Sequence, residues 1–249
     1  MLKYLFVVSL SLAGVGTGLG QTVSLTPPAA DTFVSGANPG ANYGKAGAEA
    51  ISGSATSKGE FDSLLRFNFA TAKSSFDILY GVGGWSLQTV TLTLTAQAPT
   101  NLLFNSSAAG QLGFRWLQSD AWVEGTGTPN TPTADGIAYS GLAALQSGAD
   151  ETVGTFAFDG GTTGTRTFAF TLSPGFRTDA TTGSVVSFLI QPADSTVSAL
   201  FAANGTNIPA GDKPVLTVTA APLPEPGSAA LMFAGALLLC RRLRRRAEA

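Results

Sequence analysis

Apolar and polar residues alternate along the middle of the chain with the period of a half-buried strand, not of a helix. Thr89 to Gln97 (TVTLTLTAQ) puts Val90, Leu92, Leu94 and Ala96 on one face and threonines on the other. Asp62 to Phe69 (DSLLRFNF) puts Leu65, Phe67 and Phe69 on one face, with Leu64, Arg66 and Asn68 opposite. Thr155 to Phe158 and Arg166 to Leu172 repeat the scheme, with Phe156, Phe158, Phe168, Phe170 and Leu172 predicted inward. Val185 to Ile190 reads as an apolar run of the kind found in a central strand. Val197 to Ala202 and Val215 to Thr219 close the series.

Turn clusters separate these runs: GANPGANYG at 36–44, GVGG at 81–84, GTGTPNTPT at 125–133, DGGTTG at 159–164 and NGTNIPAGD at 204–212. A helical turn or two is expected only near Gly141 to Ser147, inside a long, loop-rich segment from Asn101 to Ala149. Many short strands, Gly-rich turns and no strand–helix alternation predict an all-β fold, a β-sandwich of jelly-roll type.

Both ends of the chain have a different character. Met1 to Gly20 has Lys3 in a basic start, an apolar stretch from Leu5 to Val15, and small Gly18 and Gly20 before Gln21. That is the layout of a cleaved secretory signal peptide. At the other end, prolines 222, 224 and 226 hold the chain extended. An uncharged stretch from Ser228 to Cys240 follows, and then Arg241, Arg242, Arg244, Arg245 and Arg246. Residues 227–243 make a helix of about 25 Å at about 1.5 Å per residue, enough for a thin bilayer once the arginines snorkel. The arginines predict a cytoplasmic C-terminus and an external body. Cys240 is read as a small residue at the membrane interface with no catalytic role.

Pro224-Glu225-Pro226, a short apolar helix and a terminal arginine cluster resemble, in that order, the PEP-CTERM sorting signal. The resemblance implies recognition of Pro224, Glu225 and Pro226 by an exosortase-like membrane enzyme. It also implies transient anchoring in the inner membrane, removal of the tail, and a final place at the cell surface or outside the cell.

What remains is one domain of about 200 residues, 21–220, large enough for a core of its own. The chain's single cysteine lies outside it, so packing and hydrogen bonds must stabilise it without disulfides. It carries eight Lys/Arg and fourteen Asp/Glu, a mildly acidic balance that argues against nucleic acid as a partner. Absence of histidine from the whole chain excludes Ser-His-Asp and Cys-His catalysis and any His-ligated zinc.

A second resemblance rests on DTFVSGANPGANYG from Asp31, SLLRFNF with Arg66, the Thr-rich strand, SDAWVEGTG with Trp122 and Glu124, and KPVLTVTA. Together these are similar to the DNRLRE-type domain, also classed as carbohydrate-binding module family 96, over about Val23 to Ala220. It implies a secreted jelly roll of a kind often joined to polysaccharide-degrading enzymes.

Tyr43, Trp85, Trp116 and Trp122 are the rings a sugar-binding surface would need. Tyr43, in its Asn/Gly/Pro loop, and Trp85, after Gly83-Gly84, are expected to be the exposed ones; Trp122 is expected in the core. Arg66 is expected to pair with Asp62, Glu60 or a loop carboxylate and pin the N-terminal loop, with ligand binding as the other reading. Asp120 with Glu124, and Asp150 with Glu151, have the residue types of a glycosidase pair, but spacing along the chain does not establish the geometry. Catalysis is therefore not expected. No cofactor is expected beyond a structural Ca²⁺, for which Asp31, Asp159 and Asp212 are weak candidates. The threonine face of residues 89–95 is read as an ordinary exposed strand. The resulting expectation is a non-enzymatic exported protein that binds or embeds in extracellular polysaccharide. A purely structural or adhesive protein is the alternative, and a polysaccharide lyase or glycosidase the third reading.

Overall fold

The structure is a computed structural model and describes residues 20–100 and 103–223. The expected leader up to residue 19 and the expected sorting signal, Pro224, Glu225, Pro226, Arg241, Arg242, Arg244, Arg245 and Arg246, lie outside the described residues, as does the expected membrane helix 227–243. Among the described residues no helix is long and apolar enough to cross a membrane.

The strands are β1 (Gln21–Leu25), β2 (Ala30–Ser35), β3 (Ala48–Ser52), β4 (Phe61–Asn68), β5 (Trp85–Thr95), β6 (Gly110–Leu117), β7 (Glu151–Phe158), β8 (Thr165–Ala169), β9 (Val185–Pro192), β10 (Ser198–Ala202) and β11 (Val215–Pro222). They form two antiparallel sheets. One runs β1-β11-β5-β8; the other runs β10-β3-β4-β9-β6-β7, with β2 paired to β4. The fold is an all-β sandwich.

The alternation read from the sequence decides which faces meet. Val90, Leu92, Leu94 and Ala96 are buried, as are Leu65, Phe67 and Phe69. Phenylalanine dominates the space between the sheets: Phe114 lies 4.7 Å from Phe168 and 5.5 Å from Phe170, and Phe170 lies 5.0 Å from Phe188. β9 is central, between β4 and β6, as its composition predicts.

Two bulges keep the apolar residues in phase. Along β5 the buried positions step by three from Leu87 to Val90. The register against β11 jumps there, from Thr219 opposite Thr89 to Ala220 opposite Leu87, leaving Gln88 as the extra residue. In β7, Val153 is skipped between the Phe114–Gly154 and Arg115–Thr152 pairs.

The expectation of helix only near Gly141 to Ser147, a turn or two, is corrected. The turn near residue 141 exists, as a 3₁₀ turn at Tyr139–Gly141 and α2 below. Two longer helices stand where none was expected: α1 (Ala70–Tyr80), before the α2 turn (Leu142–Leu145), and α3 (Pro174–Thr182) after it. α1 buries Ala72 and Phe76 against the end of the sandwich, and α3 buries Phe176 and Ala180. The segment expected to be loop-rich, 101–149, also contains β6, an inner strand of the larger sheet.

Candidate functional site

A shallow cleft of about 380 Å³ opens between the start of β2 and the loop after Trp122. Ala29, Ala30, Arg66, Trp122, Glu124, Thr126 and Asp135 line it. The cleft exists because Arg66, on the outward face of β4, reaches the neighbouring loop. Its Nη1 donates to the carbonyls of Asp120 (3.0 Å) and Trp122 (2.9 Å), and its guanidinium lies 4.8 Å over the Trp122 ring. The partner is thus a pair of main-chain carbonyls, and the loop held is 120–122. This corrects the expected ion pair: one guanidinium nitrogen serves two carbonyls while the planar group lies over an aromatic ring, which suits arginine without a carboxylate.

Trp122 is buried, at 4% exposure, as expected. Its Nε1 donates to Ser187 Oγ (2.9 Å), which donates to Asp120 Oδ1 (2.6 Å). Ser187 is the one polar residue in the apolar run of β9, and this relay gives it a partner on each side. Burial raises the Asp120 carboxyl, and the Ser187 hydrogen bond opposes it.

The rim is polar. Glu124 accepts from Lys45 Nζ at 2.8 Å. Asp135 accepts from Thr133 Oγ1 (2.5 Å), Thr126 Oγ1 (2.7 Å) and the Thr126 N–H (3.0 Å). These bonds hold its carboxyl down at about 2. Asp135 was not singled out from the sequence, and Thr126 appeared there only within the turn cluster at 125–133.

Beneath the rim, Asn42 ties two loops together. Its Nδ2 donates to the carbonyls of Glu124 (2.7 Å) and Ile137 (2.9 Å), and its Oδ1 accepts from the N–H groups of Gly44 (3.0 Å) and Gly127 (3.3 Å). Gly44 is required by the close approach: a Cβ there would lie 2.1 Å from the Glu124 carbonyl oxygen. The Asn-Tyr-Gly motif is therefore a structural fastening.

Neither Tyr43 nor Trp85 is exposed. Tyr43 stacks on Phe33 at 4.7 Å and 12°, and Asn38 Nδ2 donates to its hydroxyl at 3.0 Å. Trp85 is 7% exposed, because the unanticipated α1 covers it. Phe76 packs against the ring at 5.0 Å, and the indole N–H donates to Asp77 at 2.8 Å. Trp116 is buried too, with its indole N–H on Asp179 (3.0 Å). The structure brings Arg66, Trp122 and Glu124 together at the cleft and buries Tyr43 and Trp85 elsewhere.

The paired acids have structural work. Asp150 accepts from the N–H groups of Gln118 and Ser147, and Glu151 accepts from those of Gly175 and Phe176 at the start of α3. Burial pushes the Glu151 carboxyl up, but its hydrogen bonds outweigh that and lower it.

The three calcium candidates have unlike settings. Asp159 is exposed and paired with Arg166 at 2.9 Å. Asp212 lies on a 3₁₀ turn, Ala210–Asp212. Asp31 is buried and accepts from the Asn204 N–H at 2.6 Å. Burial lifts the Asp31 carboxyl to about 6. Beside it Glu49 is fully buried, and burial first and Asp31 second push its carboxyl well above the carboxylate range, with only the Ser63 hydroxyl acting to lower it. Among the described residues no group of three or more acidic, histidine or cysteine side chains is arranged to hold a metal ion.

No protein-family model matches the chain, and no curated protein matches it.

Proposed function

We propose that this chain is an exported protein of the cell envelope whose body is a structural or adhesive module of the extracellular surface or matrix. The leader Met1 to Gly20 directs export, and the PEP-like tail is a sorting signal handled by an exosortase-like enzyme at the inner membrane. The body is read as a jelly roll. The strand orders support this, because β1-β11-β5-β8 faces β4-β9-β6-β7, the order of a doubly wound eight-stranded chain, with β2, β3 and β10 added at one edge.

One observation carries the choice of a structural role. Tyr43, Trp85, Trp116 and Trp122 are all buried, so none of the expected rings offers a stacking platform for sugar. The four acids considered for a glycosidase pair are each engaged in structural hydrogen bonds or ion pairs, which supports a non-enzymatic reading. A second reading, polysaccharide binding, is favoured by the Arg66–Trp122–Glu124 cleft with Thr126 and Asp135 on its rim. Contact there would be made by hydrogen bonds.

The mature protein applied to an array of neutral and acidic polysaccharides tests the choice. The structural role predicts no retention. Retention that Glu124→Gln weakens at least about tenfold, the loss of about 1.4 kcal/mol, would replace it with the binding reading.

A further inference from the structure

Five large apolar side chains are conspicuously exposed among the described residues: Ile78, Leu79, Val82, Val123 and Leu223. Four of them belong to one end of the molecule. Ile78 and Leu79 lie on the last turn of α1, and Val82 lies in the turn that follows; Ile78 is 84% exposed and Val82 85%. Both line one shallow groove. Leu223, 47% exposed, is fastened to that turn, since its N–H donates to the Gly84 carbonyl at 2.8 Å. Residues 78–84 (ILYGVGG) contain no charge, and the nearby Lys73 and Asp77 are paired with each other. Phe76 and Ala72 already satisfy the core from the opposite side of α1, so Ile78 and Val82 contribute nothing to the fold.

The place where the chain leaves the sandwich says what covers this patch. Beyond Leu223 the sequence runs PEPGS through residues 224–228 and then begins its apolar stretch at Ala229. The six Cα–Cα steps from Leu223 to Ala229 reach at most about 22 Å when fully extended. If Ala229 enters a bilayer, Leu223 is held within that distance of the lipid, and the turn it is fastened to stays beside it.

The geometry points to a membrane-contacting face: Ile78, Leu79, Val82 and Leu223 rest in the outer interfacial layer of the lipid bilayer while the tail anchors the chain. Aliphatic side chains on an uncharged turn suit shallow insertion, and they set the sandwich down on one end before the tail is cut. The inference rests on the anchoring role of the tail proposed above.

The test uses the full chain with Cys240→Ser, reconstituted in phosphatidylcholine vesicles. It carries an environment-sensitive fluorophore on Val82→Cys or, for comparison, on Thr91→Cys in the outer face of the smaller sheet. The expected result is co-flotation with the vesicles, and quenching of the residue-82 probe by lipids brominated near the carbonyls at least about twofold above the residue-91 probe. Ile78→Ser with Leu79→Ser should reduce that difference without altering co-flotation. Co-flotation with equal quenching at both positions would overturn the membrane contact and leave the anchor standing. A blue-shifted residue-82 probe that brominated lipid does not quench would mean a second copy of the chain covers the patch, which also overturns it. Failure to co-float would remove the anchor reading and this inference together.

Discussion

Arg66 shows how far a single residue could be understood in advance. Its place in a strand beside buried phenylalanines was legible, and so was its need for a partner. The partner was not, because carbonyls of residues 120 and 122 become neighbours only through the fold. Arg66→Ala should lower stability by about 2–3 kcal/mol, two charge-assisted bonds and a stacked ring being lost. Arg66→Lys should recover less than half of it, since a shorter, non-planar ammonium loses the stacking over the Trp122 ring and sits farther from the two carbonyls. Urea denaturation checks both; full recovery by lysine would contradict the geometry.

Buried acids set the pH dependence. Asp31 titrates at about 6 and Asp62, raised by burial and then by Glu60, at about 7, with Glu49 raised as well. In the unfolded chain such groups titrate near 4. The folded protein therefore holds protons that the unfolded chain releases between about pH 4 and 7, and its stability falls as pH rises through that window. Asp135 at about 2, with Asp77, Asp159 and Asp194 also lowered, works the other way, and that stability is lost as pH falls below about 4. The thermal midpoint should peak near pH 4–5. Asp62→Asn should raise stability at pH 8 by on the order of 2–4 kcal/mol and flatten the fall. A wild-type midpoint that climbs from pH 5 to 8 would contradict this assignment. None of this was visible in the sequence, where Glu49 and Asp62 look like ordinary strand acids.

Elements with a period of two were legible, and those without one were not. β4, β5, β9 and β11 announced themselves by alternation or by apolar runs. α1 did not, because its buried face is only Ala72 and Phe76, while Ile78 points away and Leu79, on the same stripe, is left 55% exposed at the helix end. α3 is built from Thr, Gly and Asp, poor helix formers. Its signals were the punctuation at its ends: Pro174 in the first turn and Gly183 in the left-handed conformation just past the last. Missing α1 is also why Trp85 was expected to be exposed. Phe76→Ala should cost about 3–5 kcal/mol and shift Trp85 emission to the red; unchanged emission would mean α1 does not shield that ring. Gly44→Ala should be nearly as damaging, about 2–3 kcal/mol by overpacking, because the new Cβ meets the Glu124 carbonyl. A thermal midpoint equal to wild type would show that the Asn42 fastening has slack.

At the scale of the molecule, the sandwich and the segments flanking it divide the work. Burial of the aromatic rings leaves the body a rigid, disulfide-free block with a polar cleft and one uncharged apolar end. Its outer face on the smaller sheet is hydroxyl-rich, with Thr22 bonded to Thr219 at 2.9 Å and Thr93 to Thr167 at 3.2 Å. The flanking segments are proposed to decide where that block is placed, because targeting is read from linear sequence by export and sorting machinery. The body's task was less legible, since exposure of a ring is decided by tertiary packing. The most direct measurement is the intact mass of the protein recovered from outside the cell, with and without the sorting enzyme. A chain beginning at Gln21 and ending near the PEP element, seen only when the enzyme is present, is the expected result. A mass corresponding to Met1 through Ala249 in both cases would contradict export and sorting alike.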